Sequence, residues 1–174
     1  MNMRIQTGCL VAGLIPLLVS CASQPIALAP VGPGPAPERA SSPLNGDLQV
    51  FTETEEYYLD EMSYFVHKDY ELYTQDGRRF KHVWNHDTHE DEQPTVVTLP
   101  PGNYVVQAQA EFYGPVSVPV VIRPGQTTKV ILQPGWQPGK GVARTELVQI
   151  PNGYYVGWRA PANPASPEAT RNGR

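Results

Sequence analysis

The sequence predicts an all-β protein, a small antiparallel sandwich of seven strands with one more hairpin appended on its C-terminal side. Three observations predict it. No long apolar stripe recurs at helical spacing; short runs rich in valine, tyrosine and threonine alternate apolar with polar residues; and 15 glycines and 19 prolines punctuate the chain into pieces too short for most helices. Successive side chains of a strand point to opposite faces, so each alternating run also names its own core residues.

Taken in order, "DLQVF" (47–51) is the first strand, with Leu48 and Val50 inward. The acidic stretch "TETEEYYLDEMSYFVHK", Thr52 to Lys68, carries Tyr57, Leu59, Met62 and Phe65 without a clean period and reads as an inserted loop rather than as an amphipathic helix. "DYELYT" then puts Tyr70 and Leu72 inward, and "RRFKHVW" puts Phe80, His82 and Trp84 inward; "QDGR" between them is a hairpin turn. "TVVTL" leads through the tight "PPGNY" connection into "NYVVQAQAEFYG", where Tyr104, Val106, Ala108, Ala110 and Phe112 share the core face. In "PVSVPVVI" the core face is Val116, Val118, Val120 and Ile122; Pro119, lacking an amide proton, marks an edge strand or a bulge. The turn "RPGQ" and the run "TTKVILQP" complete seven strands between residues 45 and 133.

Residues 134–159 form an extension in which "RTELVQIPNGYYVGWRA" reads as a hairpin with "PNG" at its tip. Tyr155 and Trp158 bring large apolar surface, suited to covering the sandwich or extending a sheet edge more than to docking a partner.

The two ends differ from this middle. Residues 1–20 have one positive charge at Arg4, an apolar run from Cys9 to Val19 and small residues before Cys21, the layout of a secretory signal. The apolar run is too short, with these flanks, for a membrane span. Residues 21–44, rich in proline, alanine and serine, read as an extended tether, and 160–174 as a disordered tail. The "LVSC" at Leu18–Cys21 resembles the lipobox of bacterial lipoproteins. That resemblance implies diacylation of Cys21, removal of the segment before it and acylation of the new amino terminus. Several acyl chains hold a protein durably on a bilayer where one would not. Ala22 and Ser23, with no acidic residue after the cysteine, imply sorting to the outer membrane, facing the periplasm.

Both cysteines lie at or before position 21, so thiol chemistry and disulfides are excluded from the folded domain. A formal net charge of −4 without a basic cluster excludes a nucleic-acid face. The one crowded stretch is "KHVWNHDTHEDE", Lys81 to Glu92. His86 and His89, with the carboxylates around them, are donors that zinc or copper accepts. However, His-x-x-His in a loop lacks the helical His-Glu-x-x-His arrangement of a metalloprotease, and the stretch reads first as a polar inter-strand loop. No nucleophile elbow or phosphate-cradling glycine loop is present. Adjacent carboxylates such as Glu55 and Glu56 point to opposite faces of a strand. The expectation is a chain without catalytic residues and without a cofactor.

The segments "DLQVF", "DYELYTQDGRRF" and "VTLPPGNYVVQAQAEFYGPVSVPVVIRPGQTTKVIL" resemble the carboxypeptidase regulatory-like and PEGA group of small domains, over roughly Asp47 to Gln133. The resemblance implies a transthyretin-like or immunoglobulin-like sandwich serving as a non-catalytic binding or structural module of exported proteins. Its partners would be the membrane, through the anchor, and an envelope protein or a glycan, for which Tyr57, Tyr58, Tyr64, Tyr113, Tyr154 and Trp136 are contact candidates. The departures from the pattern are Thr52–Lys68 and the histidine loop, where a property peculiar to this chain would sit.

Overall fold

The computed structural model describes residues 24–161; the signal segment, Cys21 and most of the tail lie outside the described residues. The strands are β1 (Ile26–Ala27), β2 (Val31–Gly32), β3 (Gly46–Phe51), β4 (Thr54–Leu59), β5 (Met62–His67), β6 (Tyr70–Thr74), β7 (Arg79–Val83), β8 (Val96–Leu99), β9 (Gly102–Ala110), β10 (Gly114–Ile122), β11 (Thr127–Ile131), β12 (Leu147–Gln149) and β13 (Tyr155–Arg159). One sheet has the order β12-β13-β2-β10-β9-β6-β7, with β1 also on β10; a second has the order β11-β3-β8; β4 and β5 pair only with each other.

The two larger sheets face each other across one apolar core. Leu48, Val50, Val97, Leu99 and Val130 come from the smaller sheet, and Tyr70, Leu72, Val106, Val118, Val120 and Val156 are among those from the larger. Each such valine or leucine contributes about 1.5–3 kcal/mol by leaving water. All seven strands expected between 45 and 133 are present, as β3 and β6–β11, and their inward residues are mostly those the alternation names.

The sheets are mixed rather than antiparallel. β11 runs parallel to β3, pairing Thr127 with Asp47 through Ile131 with Phe51, and β1 and β2 run parallel to β10. Alternation specifies which face is buried but not strand direction, and partners far apart in sequence have no hairpin to force them antiparallel. Within β7 the inward residue is Val83, paired with the buried Tyr70, while His82, paired with Glu71, is half-buried and Phe80 and the following Trp84 are exposed, so the aromatic phase of this run faces out. Phe112 is likewise outside: it sits in the β9–β10 turn, not on β9, at φ 57° and 82% exposed.

Residues 24–44 are no tether. β1 and β2 form one interrupted run along β10, with Val31 fully buried. Pro119 lies opposite the interruption. The Ser117 carbonyl accepts the Leu28 amide at 2.8 Å, and two residues on, Pro119 turns its nitrogen to that same side, so the β9 ladder loses nothing. Downstream, the proline-rich stretch straps the free edge of β11. The Glu38 carbonyl accepts the Thr127 amide at 2.9 Å, the Ala40 amide donates to Gly125 at 3.1 Å, and the Glu38 carboxylate pairs with Lys129 at 2.6 Å. At Gly34 a side chain would run into the Trp158 indole 2.6 Å away, so the backbone itself lies on the ring. Proline-rich chain is already extended, and aromatic surfaces accept it at little further entropy cost.

The strap ends in a buried polar clip. Asp47 accepts the Ser41 amide at 2.7 Å, the Ser41 hydroxyl at 3.0 Å and the Thr98 hydroxyl at 2.8 Å. Burial alone would raise this carboxyl, but the hydrogen bonds outweigh it and hold Asp47 below the usual carboxylate range. The C-terminal hairpin is present as β12–β13 and extends the larger sheet through Arg159–Val31 and Trp158–Gly32 pairing.

Candidate functional site

The segment Thr52–Lys68, expected to be a loop, is a hairpin. β4 and β5 pair from Thr54–His67 to Leu59–Met62, and the two-residue turn Asp60–Glu61 has φ 49° and 65°. Positive φ at both turn positions gives the twist that a tight hairpin needs, although asparagine and glycine are the usual residues there. The alternation is blurred because, apart from Val66 and His67 at its base, neither face of this hairpin is buried. Among the described residues, β4 and β5 have no other strand as neighbour.

What seats the hairpin is the histidine loop. The Tyr57 ring stacks on His89, with centroids 4.1 Å apart and planes inclined by 18°. Glu92 accepts the Phe65 amide at 2.9 Å, and His86 Nδ1 donates to the His67 carbonyl at 3.0 Å. The two departures from the family-like pattern are therefore one structural unit. Its base is closed by His67, whose Nδ1 donates to the Thr52 carbonyl at 2.9 Å while its ring meets Phe51 edge-on at 5.5 Å. Burial pushes the His67 imidazole below its ordinary value, outweighing the Thr52 carbonyl and the charges of Glu111 and Asp91, and so holds it neutral. Asn85 adds a tie beneath, its amide nitrogen donating to the Val50 carbonyl at 2.8 Å.

His82 lies apart from His86 and His89, as strand geometry requires. Its Nδ1 is 2.8 Å from Glu71 and its Nε2 3.4 Å from Asp69, while Arg79 grips Glu71 with two nitrogens at 2.6 and 2.8 Å. The Arg79 fork, helped by His82, lowers the Glu71 carboxyl. His82 and the 71%-exposed Trp84 meet edge-on at 4.6 Å on the outer face. Trp84, His86, Asp87, Thr88 and His89 line an open hollow of about 490 Å³. The His86 and His89 rings are 5.9 Å apart, but among the described residues no group of three or more His, Cys, Asp or Glu is placed to hold a metal ion.

The exposed side of the unit is apolar and acidic together. Tyr58 is 74% exposed and Met62 56%, with Leu59 and Phe65 also open to solvent. Glu55, Glu56, Asp60 and Glu61 flank them on the hairpin, and Asp87, Glu90, Asp91 and Glu92 on the loop; among the described residues none of these carboxylates has a cationic partner. Of the candidate contact aromatics, Tyr58 is the most exposed, while Tyr64 is half-buried opposite Tyr57 on the hairpin. Tyr57 is committed to His89, Tyr154 donates to the Glu111 carbonyl at 2.9 Å, and Tyr113 packs on the core. Trp136 meets Trp158 at 6.2 Å over the strap. Leu59 and Met62 were not singled out as contacts, since nothing local distinguishes a hairpin tip from a core position.

No family model, no curated protein and no solved structure matches the chain. Among the described residues no helix is long and apolar enough to cross a membrane.

Proposed function

We propose that this chain is a lipid-anchored envelope protein whose non-catalytic sandwich presents the β4–β5 hairpin, seated on the histidine loop, to a protein partner. The observation that carries the reading is a hairpin outside both sheets with Tyr58, Leu59, Met62 and Phe65 exposed at and near its tip. An isolated two-stranded hairpin is marginal in water, so it is a costly feature for the sandwich to carry without a use. Leucine and methionine at a tip fit an apolar cleft better than the flat stacking surface a sugar needs. The surrounding carboxylates favour a partner with a basic rim and disfavour nucleic acid and a second copy of the same face. The anchor rests on "LVSC" and Cys21, and acylation there would keep the module at the membrane, with the outer membrane as its destination.

The test is site-specific photo-crosslinking in cells. A crosslinker at Met62 should capture a discrete envelope protein, one at Pro124 at the opposite end of β10 should not, and reversing Glu55 and Glu56 to lysine should reduce the Met62 product. Equal capture from both positions would sink the docking role.

A further inference from the structure

We propose that the β9–β10 turn carrying Phe112 rests in the bilayer that holds the acyl chains of Cys21, so that the sandwich lies against the membrane instead of floating above it. The inference rests on the reading that Cys21 is acylated, and it begins from strand direction. β1 is parallel to β10, with Ile26 opposite Val116 and Ala27 opposite Ser117. Chain upstream of Ile26 therefore leaves toward the N-terminal end of β10, the end where Gly114 pairs with Ala110 and the turn between them carries Phe112. Cys21 is five residues before Ile26. Even fully extended, five residues span no more than about 18 Å. A lipid-bearing residue on so short a leash brings this end of the molecule to the membrane surface.

The turn is built to meet it. The Tyr113 amide donates to the Ala110 carbonyl at 3.1 Å, which makes Phe112 the third residue of a four-residue turn, at a positive φ where glycine is the ordinary choice. A bulky residue there contributes no core packing and is almost wholly in solvent. Phenylalanine at that position is thus unexplained by folding and explained by an apolar medium next to it. The turn carries one charge, on Glu111, turned toward the hairpin base rather than left at the apex beside Phe112. Glu111 accepts the Thr54 amide at 3.1 Å, and Tyr113, Gly114 and Pro115 are uncharged. The neighbouring turn Pro151–Gly153, brought to the same end by the Tyr154 bond to Glu111, is uncharged as well. The hairpin tip differs here, because Asp60 and Glu61 at its apex exclude it from lipid.

The experiment uses the full chain, processed in cells and reconstituted into vesicles of phosphatidylethanolamine and phosphatidylglycerol containing headgroup-proximal spin-labelled lipid. A fluorophore on Asn152→Cys should lose emission to the lipid quencher, one on Pro124→Cys should not, and Phe112→Asp should abolish the loss at 152. Mass of the N-terminal peptide and flotation with vesicles report acylation separately. Flotation of an acylated chain with no more quenching at 152 than at 124, or with quenching indifferent to Phe112→Asp, overturns the inference and leaves the anchor standing. A chain that is neither acylated nor floated overturns both.

Discussion

The sandwich and the hairpin unit use the same residue types to different ends. In the sandwich, leucine and valine alternate with polar residues and vanish into one core between two sheets. In β4–β5 only Val66, at the base, is a buried apolar residue, while Tyr58, Leu59, Met62 and Phe65 remain in solvent, and the hairpin is positioned by a stacked Tyr57–His89 pair and a few hydrogen bonds, among them Glu92 to the Phe65 amide. Burial is cooperative and non-directional, whereas these contacts are few and individually modest, about 0.5–1.5 kcal/mol each. The difference predicts that the hairpin unit can open without the sandwich, but not the reverse.

The largest effect should come from the core. Leu72→Ala, on a fully buried position between β7 and β9, is expected to cost about 2–5 kcal/mol and to lower the melting transition of the whole domain, hairpin included. A single calorimetric transition displaced as one unit would bear out the one-way dependence. A hairpin that keeps its amide protection while the sandwich melts would break it.

Next is the clip that ties the strap to the smaller sheet. Asp47→Ala leaves the Ser41 amide and the Thr98 hydroxyl without their acceptor and is expected to cost about 1–3 kcal/mol. Because the folded carboxyl titrates below its unfolded value, this contribution is present above the unfolded pKa, ordinarily 3.8, and is lost as pH falls through the lower folded one. Denaturant midpoints at neutral pH and near pH 3 should therefore differ less in Asp47→Ala than in the wild type.

How legible this molecule was in its sequence follows the same division. Leu48, Val50, Tyr70, Leu72 and the alternating sets of β9 and β10 were readable because burial of one face imposes period two. Trp84 goes to the outer face because the phase of its run that packs inward is the one with Val83 and not the aromatic one, and Phe112 because a turn and not a strand holds it; neither leaves a mark in residue type. The strap was misread for a related reason: proline and glycine describe an extended chain equally well in solvent or laid across Trp158. At the candidate site, the sequence marked Thr52–Lys68 and the histidine loop as separate departures. Their joining through Tyr57, His89 and Glu92 is a tertiary fact with no local signature.

His67 gives a smaller and more local effect. Its imidazole is held neutral, below its ordinary 6.5, so folding favours the form that binds fewer protons. Stability from this group is complete above about 6.5 and declines as pH falls from there through the lower folded value. Since His67 closes the base of the hairpin against Thr52, the loss should appear first as faster hydrogen exchange around the Glu53–Lys68 bonds. His67→Gln should flatten that pH dependence. A wild-type profile that is flat from neutrality to pH 5 would mean that the hairpin base is not closed by a neutral histidine.

The smallest expected change is also the most pointed probe of why the hairpin is left marginal. Asp60 and Glu61 both occupy positive φ, a conformation that costs an L-residue roughly 1–2 kcal/mol and glycine almost nothing. Asp60→Asn with Glu61→Gly supplies the residues this turn prefers and removes two of the tip carboxylates. It should leave the global melting temperature nearly unmoved, because β4–β5 contributes little to the core, while raising amide protection across the Leu59–Met62 and Tyr57–Tyr64 pairs by about fivefold, equivalent to roughly 1 kcal/mol. Partner capture from Met62 then separates two reasons for the native turn. If the stiffened, less acidic hairpin captures less, the tip charges act in recognition. If it captures more, the native hairpin loses ordering entropy on binding, and that cost sets its affinity.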